Sequence, residues 1–186
     1  DVRLIGGFFD GLPGWAVLVA GSHAVTLSGM RVEGSTGGGV VVTGSDEITV
    51  WRNRFQRLGA APVMLHGRTH DAVVAFNDIF GNLGASNWHA GVVVSDRNAD
   101  LAADPKSLLL PDNHGIKEQP IVTRLVVPQD NVIAFNEMDA NRSSGIYLDG
   151  AARTAVVDNR ITRNSKEGMC IDNGSAANVI VRNIFD

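Results

Sequence analysis

A single cysteine, Cys170, stands among 186 residues, so no internal disulfide can hold the chain together. That scarcity does not settle the compartment. Long apolar runs are missing too: no stretch could span a bilayer, and no basic-then-apolar leader opens the chain, so no membrane insertion is expected. Charge does not come in blocks, and a net charge of −4 argues against a nucleic-acid partner. No helical segment is long enough for a βαβ crossover. The chain starts at Asp1 without Met and enters a repeat at once. We expect a single domain over 1–186 that is an excised domain or mature fragment of a longer protein, with a cap upstream and room for further coils beyond Asp186.

What is present is repetition. Asn53 and Asn77 are 24 residues apart, and Asn136, Asn159 and Asn183 follow one another at spacings of 23 and 24. Gly29 is assigned the same column one unit earlier. Apolar residues stand two places on, at Phe55, Ile79, Met138, Ile161 and Phe185. Each unit closes on a short β-branched run: AVLVA at Ala16, GVVVT at Gly39, PVMLH at Pro62, GVVVS at Gly91, GIYLD at Gly145 and GMCID at Gly168. Runs this short, bounded by Gly, Asn and Ser, are strands. Copies recurring at this period meet only after the chain has travelled round once, so they pair in parallel and make a coil of sheet.

The predicted fold is all-β, a right-handed parallel β-helix solenoid of about seven coils of 23–24 residues. In this pattern the chain resembles the pectate-lyase-like superfamily, over most of its length outside 97–130. The resemblance implies a secreted, periplasmic or cell-surface protein that lays a polysaccharide along one sheet and cuts or epimerises it. The paired-Asp motif of the polygalacturonases, the Arg-Pro-rich signature of the pectate lyases and the DPHD of the mannuronan epimerases are all absent. Lyase, epimerase and glycoside hydrolase therefore stay open, beside a non-catalytic adhesion or phage-tail-like solenoid that forms homo-oligomers.

Two irregularities flank the GVVVS strand. GASNWHA lengthens the coil ahead of Gly91. Residues 97–130 interrupt the repeat after it, with Pro105, Pro111, Pro120 and Pro128, a helical turn expected around Ala99–Ala103, and three leucines at Leu108–Leu110. A loop that long in a regular array is usually functional or disordered. Phe8 and Phe9 are expected to plug the interior near one end. GSTGGG at Gly34 is read as a turn, since a phosphate loop needs a helix after it.

Alternation fixes the faces. Val40 and Val42, Val63 and Leu65, Val92 and Val94, Ile146 and Leu148, Met169 and Ile171 should point inward. Outward then come Thr43, His66, Ser95, Asp149 and Asp172 in one row, and Val41, Met64, Val93, Tyr147 and Cys170 in another. An apolar row on a wet surface needs a cover, and the 97–130 segment is the first candidate.

The candidate catalytic residues are Asp149, Asp172, His66, Tyr147 and His89. Two carboxylates on successive coils repel unless a proton, a cation or a basic group lies between them, which suits a general acid and its partner. In a lyase or epimerase, a histidine or Tyr147 would act as base. Trp88, Ser95, Asp96, Arg97, Arg142 and Lys166 are the candidate substrate-binding residues, the cations neutralising a uronate carboxylate. His70 and His114 have less to place them. The plain alternative for the Asp pair is capping of turn N–H groups, and for the histidines, solvation. Asp96-Arg97-Asn98-Ala99-Asp100 has the oxygen alternation of a calcium loop, but Leu101 replaces the needed Gly and Ser107 the bidentate Glu. No cofactor is expected, with a looser calcium site left open. Asn141 and Asn173 begin glycosylation triplets, at turns where Asn is expected for structural reasons.

Overall fold

The structure is a computed structural model, and it describes residues 1–96 and 127–186. Three parallel sheets, of seven, seven and six strands, run the length of the molecule, and in each the strands follow one another in chain order. One coil therefore gives one strand to each sheet. The third coil shows the plan, with Asp46–Trp51 in the first sheet, Arg54–Gln56 in the second and Val63–His66 in the third. Six full coils and a seventh contributing two strands, Val179–Val181 and Ile184–Phe185, confirm the predicted solenoid. Ile146 lies directly beside Met169, as the repeat requires.

The coil bends without helices because single residues turn it. Arg52, Phe76, Phe135, Asp158 and Arg182 stack at the corner between the first and second sheets, all with φ between 53° and 57°. Non-glycine residues rarely adopt that left-handed geometry, which suits a one-residue corner. Directly after them, Asn53, Asn77, Asn136, Asn159 and Asn183 form an amide ladder, buried except at Asn183, each Oδ1 from Asn53 onward accepting the N–H of the preceding coil. Register corrects one assignment: Arg31 pairs with Arg54, so Met30, not Gly29, lies beside Asn53. A second ladder, Asn82, Asn141 and Asn164, escaped the sequence reading.

Inward residues fill the solenoid as expected through the fifth coil, while in the last third-sheet strand Met169 is partly buried and Ile171 is 47% exposed. Val40, Val42, Val63, Leu65, Val92, Val94, Ile146 and Leu148 belong to one continuous core with Phe55, Ile79, Met138 and Ile161. β-Branched side chains suit these pleated, fully covered positions. Of the two phenylalanines near the start, Phe9 packs on this core while Phe8 is 62% exposed, so only one of them acts as a plug. Gly34–Gly39 is a turn between the strands Arg31–Glu33 and Val40–Thr43. The lengthened GASNWHA turn carries a short 3-10 segment, Asn87–His89. Residues 97–126, with the expected helical turn, the three leucines, Arg97, His114 and most of the calcium-like run, lie outside the described residues. No helix among the described residues is long and apolar enough to cross a membrane.

Candidate functional site

The third sheet brings the outward polar row together as its strand pattern demands. Thr43 pairs with His66, His66 with Ser95, Ser95 with Asp149, and Asp149 with Asp172, each one coil from the next. Neighbours in such a ladder lie about 4.8 Å apart. His66 Nδ1 is 3.4 Å from Thr43 Oγ1. Ser95 Oγ donates to Asp149 Oδ2 at 3.0 Å. The Asp96 amide donates to the Asp149 carbonyl at 3.2 Å, and a Cβ on Gly150 would sit 2.5 Å from Asp96 Oδ1. Asp96 is thus held against the same strand end.

Between the two carboxylates stands a residue that the sequence reading missed as part of the site. Asn173 Nδ2 donates to Asp149 Oδ1, while the Asn173 amide donates to Asp172 Oδ1 at 2.7 Å. Asn173 thus bonds to both carboxylates, to one through its side-chain amide and to the other through its backbone N–H. The pair is also unequal, because Asp149 is fully buried and Asp172 is exposed. A signal existed: Asn173 follows Asp172 where Gly21, Gly44, Gly67 and Gly150 follow four of the other five third-sheet strands, and it shares their positive φ. Asparagine tolerates that geometry and adds a donor.

The apolar row beside it is not wet. Val41, Met64, Val93 and Tyr147 are no more than 5% exposed and form a second cluster with Ala61 and Ala90. Trp15, Trp88 and Cys170 pack against it, and Trp88 meets Tyr147 edge-on at 5.7 Å. Tyr147 and Trp88 are in this way packing partners rather than an open stacking platform. His89, next to Trp88, is half-buried against Gly84, where a Cβ would come 2.5 Å from its own Cβ. Burial pushes the Cys170 thiol up, and the Glu167, Asp172 and Asp149 carboxylates push the same way, so it is no thiolate nucleophile.

Of the expected cations, Lys166 reaches across to the long turn, its Nζ donating to Asn87 Oδ1 at 3.2 Å. Its neighbour Glu167 accepts from Ser144 Oγ at 2.9 Å. An N–H of its own backbone and that hydroxyl hold its carboxyl below the usual range. Arg142 is exposed on a turn, where its amide donates to the Asn82 carbonyl at 2.9 Å. The structure therefore gathers His66, Ser95, Asp149 and Asp172 in one row, with Asp96 and Asn173 directly after it and Trp88, Tyr147 and Lys166 beside it.

Residues 9–185 match the family model described as the right handed beta helix region. The chain belongs to that family. Among solved structures, an alginate lyase from Paenibacillus superposes on this β-helix with a TM-score of 0.67 at 15% identity, covering 92% of this chain and 53% of its own. The A-module of a mannuronan C-5 epimerase from Azotobacter vinelandii gives a TM-score of 0.42 at 14% identity, over 88% of this chain and 60% of its own. This β-helix thus spans about half the length of the lyase it matches. At such identities the likeness concerns the fold. No curated protein matches the sequence.

Proposed function

We propose that this β-helix belongs to a polysaccharide-acting protein of the extracytoplasmic space, and that it handles an acidic polysaccharide along its third sheet. The observation that carries the proposal is the polar row Thr43, His66, Ser95, Asp149 and Asp172, one residue per coil along five successive coils. A row with that repeat can follow an extended chain of sugars. The alginate lyase named above, on the same winding, supports a uronic-acid substrate.

Lyases and epimerases of uronates share a first step. A base removes the proton beside the carboxyl, and a cation or donor neutralises the carboxylate so that the carbanion can form. Lys166, exposed and linked to Asn87, is suited to the carboxylate. His66 and Tyr147 are the candidate bases, and each is only 5% exposed. A hydrolase with Asp149 and Asp172 as its acid and base fits less well, since Asn173 bonds to both.

The burial of Asp149, Ser95 and Tyr147 favours a second reading, a non-catalytic solenoid used for adhesion or assembly. Incubation with alginate, polygalacturonate and other acidic glycans separates the two. Rising absorbance of unsaturated uronate or new reducing ends, lost in His66→Ala and reduced in Lys166→Ala, supports the enzyme. A stable trimer without action on any glycan supports the alternative.

A further inference from the structure

The corner leading into the first sheet holds a cluster that the third-sheet row does not use. Successive coils set His23, Asp46, His70, Gln129, Ala152 and Ala176 in one row. The winding does not demand ionisable groups there, since two of its coils carry alanine. Across the second and third coils, however, His23, Asp46 and Glu47 bring one nitrogen and two oxygens within 4.8 Å of one another.

The imidazole lies between two carboxylates. His23 Nδ1 is 2.5 Å from Asp46 Oδ2, and Nε2 is 3.7 Å from Glu47 Oε2. These contacts differ in kind. The first is a hydrogen bond, and it keeps a proton on Nδ1 and the ring turned so that Nε2 faces Glu47. The second is too long for a hydrogen bond. It is close to the roughly 3.3 Å that separates two ligands of a tetrahedral ion with bonds of about 2.0–2.1 Å. Three coils on, the same corner pairs Asp130 with Arg153, which has no lone pair to give. His23 and Glu47 are well exposed, at 62% and 63% of their side chains, so an ion in solution can reach them.

The geometry points to a site for a divalent transition ion of the zinc type, with His23 Nε2 and the Glu47 carboxylate as ligands, Asp46 orienting the imidazole and water completing the shell. One imidazole with carboxylate suits zinc better than calcium, which takes six to eight oxygens. Because the ligands come from neighbouring coils, the ion ties the second coil to the third.

Calorimetric titration of tag-free protein with zinc chloride in a non-chelating buffer tests this, independently of any action on polysaccharide. Saturable binding is expected, abolished in His23→Ala and in Glu47→Gln, and weakened roughly 10–100-fold in Asp46→Asn. His70→Ala, one coil further on, should bind as the unaltered protein does. All four positions lie at or near the surface, and circular dichroism of each variant confirms that it is folded. Absence of binding by the unaltered protein overturns the site. Binding that survives either His23→Ala or Glu47→Gln, or that disappears with His70→Ala, overturns it as well.

Discussion

Asn77 and Asn136 are 59 residues apart in the chain and share a side-chain hydrogen bond, Asn77 Nδ2 donating to Asn136 Oδ1 at 3.0 Å. The same oxygen accepts the Asn77 amide at 3.0 Å. Elsewhere in the ladder such partners are 23 or 24 residues apart. The interruption after Ser95 therefore adds length to one turn without breaking the stack, and the fifth coil docks on the fourth as any coil docks on its neighbour.

Asn136→Ala should destabilise the protein more than any surface change. It removes the acceptor of the Asn77 amide and the donor to the Val74 carbonyl at 2.9 Å, both inside the wall. Two buried polar groups left without these partners cost roughly 2–6 kcal/mol together. Urea unfolding followed by circular dichroism checks it, as a lower midpoint at unchanged slope.

Gly145→Ala tests close packing at the start of a third-sheet strand. A Cβ there would lie 2.3 Å from Ile161 Cγ2 and 2.6 Å from the Gly168 carbonyl oxygen. Overpacking of this kind costs about 1–3 kcal/mol. Gly44→Ala, where the space is open but φ is +54°, should lose less and for a backbone reason. Thermal melts of the two variants give the order.

Acid should weaken the links between coils. Arg163 Nε donates to Asp139 Oδ1 at 2.8 Å, and Arg182 Nε donates to Asp158 Oδ1 at 2.8 Å. These arginine bonds are the main reason why both carboxyls lie below the usual aspartate range, as does Asp130 beside Arg153. A lowered folded-state value means that the stabilisation is present above the unfolded pKa of about 3.9 and is lost as pH falls from there through the folded pKa. Arg163→Ala should melt slightly lower than the unaltered protein at neutral pH, and the gap should close well below about pH 4. The arginine end of the pair is largely exposed, at 74% against 19% for Asp139, so solvent screens it and the gap is small and shrinks in salt.

The two aspartates of the third sheet should behave differently. Asp149→Ala strands the donors of Ser95 and Asn173 around a fully buried site, and a loss of about 1–3 kcal/mol is expected. Asp172→Ala, at an exposed position, should stay within about 0.5 kcal/mol. Chemical denaturation of both variants checks the contrast. Equal losses would show that burial does not distinguish the two.

Much of the site was legible. Period-two alternation put Val40, Val63, Val92 and Ile146 inside, and the outward row from Thr43 to Asp172 followed from that register. Asn173 was overlooked because attention went to strand residues, although its place after Asp172, in line with four glycines, marks it as a corner that carries a side chain. His23 and Asp46 are 23 residues apart, the repeat's own spacing, yet they sit at a first-sheet corner and not in the strand column that was searched.

By itself the sequence determined the winding: two dozen residues per coil, apolar residues at alternate positions and asparagine beside one corner of five coils leave a parallel stack as the arrangement that buries the inward side chains. Only the tertiary structure decided which outward residues meet water. Trp15 and Trp88 come from turns far apart in the chain and converge on Val41, Met64 and Tyr147, and alternation within a strand carries no information about what folds over its outer side. The same holds for charge. That Asn173 stands between Asp149 and Asp172, and that His23 faces Glu47, depends on side-chain directions at corners, which the repeat permits without dictating.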